Sequence, residues 1–223
     1  MRRMAMALPL LALGIWVDPA FGDLKGAWGF GAFGDLLIPT RGFRESYSDT
    51  YKFGASVNYG MSPRKIAEIE YHYSKWSKGE IEGKTFLQAG QQVSSPNAKA
   101  TMRIQGLLAN FLIGLKREGF GGKGGRPYVM FGTGFYEYVP YVRGLKYPLD
   151  PTTELLPTRE KKRSLAVVTG LGVLVGLGPK AGFDIRARYN LVMGELRPYY
   201  LWGIDKAYPF HLFDLGAGIK IFI

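Results

Sequence analysis

The stretch that decides the fold is residues 162–193, which read KRSLAVVTGLGVLVGLGPKAGFDIRARYNLVM. Two long runs of alternating residue type flank the turn Gly178–Gly182. In the first run large apolar residues alternate with small ones: Leu165, Val167, Leu171, Val173, Val175 and Leu177 against Ala166, Gly170, Gly172, Gly176 and Gly178. In the second run apolar residues alternate with polar ones: Phe183, Ile185, Ala187, Tyr189, Leu191 and Met193 against Asp184, Arg186, Arg188 and Asn190. A period of two places the two sets on opposite faces of a strand. We therefore predict a β-hairpin with one apolar face and one polar or small face.

The length of these runs favours a membrane hairpin over a soluble one. Soluble strands usually have roughly 5–6 residues, and both runs are about twice as long. A tilted strand needs about 9–11 residues to cross a bilayer. In a membrane barrel the apolar face contacts lipid, and the polar or small face lines a narrow interior. We interpret residues 162–193 as a transmembrane hairpin.

The composition restricts the remaining possibilities. A chain of 223 residues favours a single domain. It has no cysteine, which excludes a disulfide scaffold, a Cys-ligated metal and a thiol nucleophile; with only two histidines, we expect no metal and no cofactor. The mean hydropathy is −0.04, and a helical membrane protein would have a higher value. In a membrane barrel apolar and polar residues alternate along each strand, so a mean hydropathy near zero is expected.

The net charge of +11 requires an anionic partner or surface. Many basic proteins bind nucleic acid, but here Lys and Arg are scattered and form no basic helix or finger motif. An anionic membrane surface also attracts basic residues. We expect the membrane surface and no nucleic acid.

The N-terminus has the pattern of a secretory signal peptide. Arg2 and Arg3 precede the apolar stretch Ala5–Val17, which is too short to span a bilayer as a helix. Ala20 and Gly22 supply the small residues for cleavage before Asp23. We predict a signal peptide at 1–22 and a barrel domain at 23–223; the alternative is a buried N-terminal helix.

The rest of the chain has the same pattern of long alternating strands joined by turns or loops. The predicted strands are 25–33, 50–60, 65–76, 100–116, 126–139, the two runs above and 210–223. The long connections between them are 36–49, 77–99, 140–161 and 194–209, and they alternate with shorter ones. Bacterial barrels have an even number of strands, short periplasmic turns and longer extracellular loops. The sequence therefore predicts an all-β, eight-stranded antiparallel up-and-down transmembrane β-barrel.

Three segments carry a family resemblance. They are Arg126–Tyr136, with its Arg-Pro-Tyr-Val and Gly-Thr-Gly-Phe-Tyr elements, Arg186–Tyr189, and the final strand Gly216–Ile223. With these, the mature chain resembles the small outer-membrane β-barrel superfamily of the OmpA, OmpX and OmpW kind. The resemblance implies the outer membrane of a Gram-negative cell envelope, and a C-terminal strand recognised by the barrel-assembly machinery. One departure is that Ile221 and Ile223 stand where the family usually has aromatic residues.

The resemblance implies a location more than an activity. Members include membrane anchors, adhesion or resistance proteins and conduits for small molecules, because fold does not fix function. We expect a monomeric, non-enzymatic protein that is structural, surface-binding or a narrow, porin-like conduit.

Charged residues on the inward face are the first candidate site. They are Glu68, Glu70, Lys116, Asp184, Arg186, Arg188, Asp214 and Lys220. Side chains fill the interior of an eight-stranded barrel, so we expect these charges to pair. The result is either a plugged, salt-bridged core or a narrow polar path.

Cations near the long connections are the second candidate site. They are Arg41, Arg44, Lys75, Lys78, Arg143, Lys146, Arg197 and Lys206. They suit the phosphates of lipopolysaccharide or an anionic partner, and the alternative is ordinary solvated loops.

An enzymatic alternative rests on His72-Tyr73-Ser74. This element resembles the His-Tyr-Ser element of the lipid A 3-O-deacylase barrel, which implies His72 as base and Ser74 as nucleophile. Glu80 or Glu82 would orient the histidine. Against this, Lys75-Trp76 departs from that family's continuation, and the alternation points His72 and Ser74 inward. A soluble periplasmic β-protein is a further alternative.

Overall fold

The fold is a closed antiparallel barrel. The computed structural model describes residues 22–40, 44, 47–77, 85–88, 91–121, 124–147, 150–154, 156–159, 161–194 and 208–223. The barrel strands are β1 (Trp28–Thr40), β2 (Thr50–Ser62), β3 (Lys65–Ser77), β4 (Lys99–Gly114), β5 (Gly125–Arg143), β6 (Lys162–Gly176), β7 (Ala181–Val192) and β8 (Phe210–Phe222). Each pairs with the next in sequence, and β1 pairs with β8 to close the sheet. No helix in the described ranges is long and apolar enough to span a membrane.

The predicted eight-stranded barrel is confirmed, but several strand ends differ. β1 continues to Thr40, and β5 continues to Arg143, so the connections predicted at 36–49 and 140–161 start later. The predicted first strand ended at Phe33, and a polar connection was expected from Leu36. In the structure Asp35 points into the barrel, and the outward positions beyond it remain apolar at Leu36 and Ile38.

The long connections contain additional short strands. They are Thr85–Gln88 paired with Gln91–Ser94, Lys146–Tyr147 paired with Asp150–Glu154, and Thr158–Arg159, which pairs with the end of β5. We call this side of the barrel the long-loop end. The opposite side, where the connections run over 63–64, 115–124 and 177–180, is the short-turn end.

The outer wall is apolar around the whole barrel. One residue from each strand, exposed over about half of its surface, illustrates this belt: Phe30, Phe53, Ile69, Leu107, Phe131, Leu171, Ile185 and Leu215. A soluble monomer rarely exposes an apolar band of this extent, whereas a barrel in a bilayer presents it to lipid. The alternation predicted from the sequence therefore corresponds to an outward apolar face and an inward polar one.

A charge introduced into this belt should be costly in proportion to its depth. Leu171 is 63% exposed and lies midway along the apolar positions of β6. We expect Leu171→Arg to lower the free energy of unfolding from lipid vesicles by about 2–4 kcal/mol, because a cation near the bilayer centre loses its hydration. Leu177→Arg, next to a short turn, is the matched control and should cost about 0–1 kcal/mol. Equal costs at both positions would contradict a lipid-facing wall.

Candidate functional site

The inward positions of five strands (β1, β2, β3, β7 and β8) supply a buried cluster of charges. We call Asp35, Lys52, Glu68, Glu70, Asp184, Arg186, Arg188, Asp214 and Lys220 the interior charge network. None of these residues is more than 3% exposed. Charges this far from water are stable only when they are paired and hydrogen-bonded, so the arrangement of partners decides what the interior does.

Arg188 is the centre of the network. From β7 its Nη1 donates to Glu70 Oε2 at 2.6 Å, and its Nη2 donates to Asp35 Oδ2 at 2.6 Å. Nη2 also lies 3.2 Å from Asp214 Oδ2. Lys52 Nζ closes the group, 3.1 Å from Asp35 Oδ2 and hydrogen-bonded to Asp214. The planar guanidinium suits this role because it presents several donors in a fixed geometry.

Arg186 links this centre to the rest of the network. Its Nη1 lies 3.3 Å from Glu70 Oε2 and 4.0 Å from Glu68 Oε1, and its Nη2 lies 3.4 Å from Asp35 Oδ2. Its guanidinium carbon is 3.8 Å from the centroid of the Phe33 ring. An aromatic face adds a favourable cation–π contact to the ion pairs.

A second group of partners lies nearer the short-turn end. Lys220 Nζ is 2.6 Å from Glu68 Oε2 and 3.3 Å from Asp184 Oδ2. Tyr128 donates its hydroxyl to Asp184 at 2.7 Å, and Asn110 donates its amide to Glu68 at 3.1 Å. Each carboxylate of this group thus has both a cation and a neutral donor.

Glycines on the inward face make room for these large side chains. A Cβ on Gly216 would lie 1.7 Å from Asp35 Oδ1, and a Cβ on Gly172 would lie 2.4 Å from the Tyr128 hydroxyl. Small barrels fill their interior by setting small residues opposite large ones. Inward glycines on β6 and β8 therefore provide space for an aromatic side chain from β5 and a charged one from β1.

Two apolar layers enclose the interior charge network. The upper layer, at the long-loop end, consists of Leu37, Tyr47, Trp76, Met102, Ile104, Leu108, Tyr136, Tyr138, Ala166, Val168, Val192, Phe210 and Leu212. The lower layer, at the short-turn end, consists of Leu24, Ile66, Leu112, Phe120, Tyr128, Met130, Leu174 and Phe222. Every member of both layers is buried. The charges are thus separated from both mouths of the barrel by packed apolar side chains.

Two segments outside the strands complete the lower layer. Residues 22–27 cross the short-turn end, where Gly26 N donates to Gly60 O at 2.7 Å. Phe120, in the turn after β4, is fully buried, and its amide donates to Pro63 O at 2.8 Å. Gly119 permits this turn because its φ is +68° and a Cβ there would lie 2.0 Å from Pro63 O.

The geometry agrees with solved barrels of the same size. Neisserial surface protein A matches with 13% identity over 88% of this chain and 99% of its own, with a TM-score of 0.50. The chain has the fold of the small outer-membrane β-barrels. Pseudomonas aeruginosa outer membrane protein OprG (15% identity, 90% and 98% coverage, TM-score 0.48) and Yersinia pestis Ail (14%, 88% and 99%, 0.45) are also similar. No protein-family model matches the sequence, and no curated protein matches it.

Seven of the eight inward charges expected from the sequence belong to the interior charge network of the barrel. Lys116 does not, and its expected place was wrong: β4 ends at Gly114, so Lys116 lies exposed in the following turn, where strand alternation no longer applies. Asp35 was not predicted as an inward charge, because the predicted first strand ended at Phe33. Lys52 was not predicted either, although the alternation of β2 places that residue inward.

The structure shows the environment of four of the eight expected outer cations. Lys75 and Arg143 are exposed near the long-loop ends of β3 and β5, Arg44 is exposed, and Lys146 is half-buried. Arg41, Lys78, Arg197 and Lys206 lie outside the described residues.

The outer wall of the barrel carries a groove that the sequence did not reveal. This wall groove has a volume of about 440 Å³ and is lined by Lys75, Thr101, Arg103, Val139, Tyr141 and Arg159. Arg103 was not predicted as a site residue, because the alternation of the fourth strand is weakest there. The pairing of β3 with β4 sets Arg103 directly opposite Lys75.

The pair proposed for catalysis lies inside the barrel. His72 and Ser74 are both at most 1% exposed, and His72 Nδ1 lies 2.9 Å from Glu70 Oε1. Ser74 Oγ accepts a hydrogen bond from Trp76 Nε1 at 3.2 Å, and no hydrogen bond joins Ser74 to His72. Glu80 and Glu82 lie outside the described residues. The described part of the chain also contains no group of three or more His, Asp or Glu side chains arranged to hold a metal ion.

Proposed function

We propose that this protein is a non-enzymatic outer-membrane barrel with a sealed interior, which acts as a membrane-embedded scaffold and surface-binding protein. The observation that carries the proposal is the stacking of the interior charge network between two buried apolar layers. A barrel whose interior is filled in this way passes no ion or solute through its centre. Its outer wall and long connections are then the parts available for interaction.

The charge pairing favours a structural role over a narrow conduit. A passing ion would have to separate partners such as Arg188 and Glu70, which are 2.6 Å apart and fully buried. Removing one partner of a buried pair typically costs about 3–5 kcal/mol. The same ion would also have to displace the packed side chains of both apolar layers.

The catalytic alternative receives less support from the geometry. A serine nucleophile needs a base within hydrogen-bond reach and access to its substrate. Ser74 and His72 share no hydrogen bond, and both are buried on the inward face, away from lipid acyl chains.

The proposed location is the bacterial outer membrane, reached through a cleaved signal peptide at 1–22, of which residues 1–21 lie outside the described residues. The fold shared with a Neisserial surface protein and the apolar belt support this location. Short periplasmic turns and longer extracellular loops would place the long-loop end outside the cell. The barrel-assembly machinery is the proposed partner of β8, where Ile221 faces outward and the exposed Ile223 follows the last strand residue. We propose a monomer in contact with outer-membrane lipid and lipopolysaccharide.

Conductance of the refolded mature protein in a planar bilayer tests the sealed interior. We expect no discrete current steps from a preparation that is folded by its heat-modifiable mobility on gels, because the interior offers no continuous water path. A porin in the same bilayer is the positive control. Reproducible steps whose ion selectivity changes in Arg186→Gln would overturn the proposal and make the network the lining of a channel.

A further inference from the structure

The long-loop end of the wall carries basic residues in unfavourable pairs. Lys75 on β3 lies directly opposite Arg103 on β4, and Lys99 on β4 lies directly opposite Arg143 on β5. All four are exposed and point outward. Like charges directly opposite each other destabilise an antiparallel pair. Two such pairs, one near the other, indicate that an anion compensates them.

Arg159 adds a further cation to the same surface. It belongs to the short strand Thr158–Arg159, which pairs with the end of β5 and sets Arg159 opposite Tyr141. Tyr141 is also opposite Thr101 of β4, one outward position beyond Arg103. The wall groove is thus formed by β3, β4, β5 and this short strand, and it carries three cations, Lys75, Arg103 and Arg159.

These three cations lack the carboxylate partners that neighbouring cations have. Glu137, one outward position below Val139, lies 2.8 Å from Lys161 Nζ and 2.9 Å from Arg163 Nε. Among the described residues no carboxylate lies within 4.0 Å of Lys75, Arg103 or Arg159. Among the described residues, the cations just below the wall groove are therefore neutralised, whereas those lining it have no carboxylate partner.

The surface below the wall groove changes from polar to apolar toward the bilayer centre. Along β4 the outward residues run from Arg103 to Gln105 to Leu107, and Gln105 accepts a hydrogen bond from the Tyr71 hydroxyl at 3.2 Å. A second hollow of about 190 Å³ lies here, with Leu107 and Phe135 in its lining. This order of cation, polar group and apolar surface matches an amphiphile with an anionic head.

We propose that the wall groove binds a phosphate group of a phosphorylated glycolipid, of the lipid A kind, in the leaflet at the long-loop end. Lys75, Arg103 and Arg159 hold the phosphate, since charge-assisted hydrogen bonds to an anion are among the strongest that side chains make. The acyl chains lie along the hollow beside Leu107 and Phe135. This binding does not depend on a sealed interior, so the conductance experiment and the lipid-binding experiment test the two proposals independently.

Native mass spectrometry of the refolded barrel in non-ionic detergent tests the proposal with three probes. They are bisphosphorylated lipid A, the same lipid without its phosphates, and inorganic phosphate. The test variant is Lys75→Gln/Arg103→Gln/Arg159→Gln. The control is Lys65→Gln/Lys116→Gln/Arg117→Gln, which removes the same charge from exposed positions at the short-turn end.

We expect the wild type and the control to retain bisphosphorylated lipid A, and the test variant to bind it roughly tenfold more weakly. The difference should shrink as salt is raised, because salt screens exposed charges. Equal weakening in the test and control variants would overturn the proposal by showing a general charge effect. Equal retention of the dephosphorylated lipid would also overturn it, and so would saturation by inorganic phosphate alone, which would assign the groove to a free anion.

Discussion

Replacing Arg188 with methionine is expected to lower the free energy of unfolding by about 3–5 kcal/mol, the typical cost of removing one partner from a buried ion pair. The side chain is fully buried and contacts Glu70, Asp35 and Asp214, three carboxylates from three other strands. Methionine fills much of the volume but donates no hydrogen bond, so these carboxylates would lose their shared cation. Equilibrium urea unfolding from lipid vesicles, followed by tryptophan fluorescence, measures the change.

The matched control is Arg163→Met on the outer wall. Arg163 also pairs with a carboxylate, at 2.9 Å from Glu137, but its side chain is 72% exposed. An exposed pair is worth about 0–1 kcal/mol, so this variant should stay close to the wild type. If Arg188→Met cost no more than Arg163→Met, the interior charge network would contribute no specific stability.

A second substitution distinguishes loss of the cation from loss of packing. In Arg188→Met/Glu70→Gln, the carboxylate that Arg188 contacts at 2.6 Å becomes neutral as well. We expect the double variant to be less destabilised than the sum of the two single variants, because residues in one network are coupled. Additive costs would indicate that the two side chains act independently.

Replacing Gly216 with alanine is the second large expected effect. The new Cβ would lie 1.7 Å from Asp35 Oδ1 and 2.3 Å from its Cγ. Asp35 cannot move away easily, because Arg188 and Lys52 hold its other oxygen. We expect a loss of about 3 kcal/mol or failure to refold, since an overpacked core site costs about 1–3 kcal/mol before any ion pair is broken.

Gly178→Ala provides the control for this substitution. Gly178 lies in the turn between β6 and β7, and a Cβ there meets no atom within 4 Å. The expected change in free energy of unfolding is within about 0.5 kcal/mol, as for most surface substitutions. Heat-modifiable mobility on gels reports refolding, and urea titration in vesicles reports stability. Similar stability of the two variants would show that the interior tolerates added volume.

Strand length and alternation predicted most of the architecture, and the errors have a common cause. Sequence pattern identifies the middle of a strand more reliably than its ends. The predicted first strand ended at Phe33, seven residues before the observed end of β1 at Thr40, and the predicted fourth strand ran through Lys116, two residues beyond the observed end of β4 at Gly114. The first error hid a member of the interior charge network, and the second added a residue that lies in the turn.

The wall groove was beyond the reach of the sequence for a different reason. Lys75 and Arg159 are far apart along the chain. They line the same groove only because β3, β4 and β5 are neighbours in the sheet and the short strand Thr158–Arg159 pairs with the end of β5. Arg103 lies where the alternation of β4 is weakest, so its outward direction depended on the register. Only the cross-strand pairs show that two cations stand directly opposite each other.

The sequence by itself determined which residues face inward and which face lipid, because side chains alternate along any extended strand regardless of its partners. It also determined the number of strands, through the spacing of turns and long connections. The tertiary structure decided which charges meet. Arg188 contacts Glu70 and Asp35, which are 118 and 153 residues away in sequence, and these contacts cross the interior of the barrel. They exist only after closure, because the register of β1 against β8 fixes the level of each side chain inside the barrel.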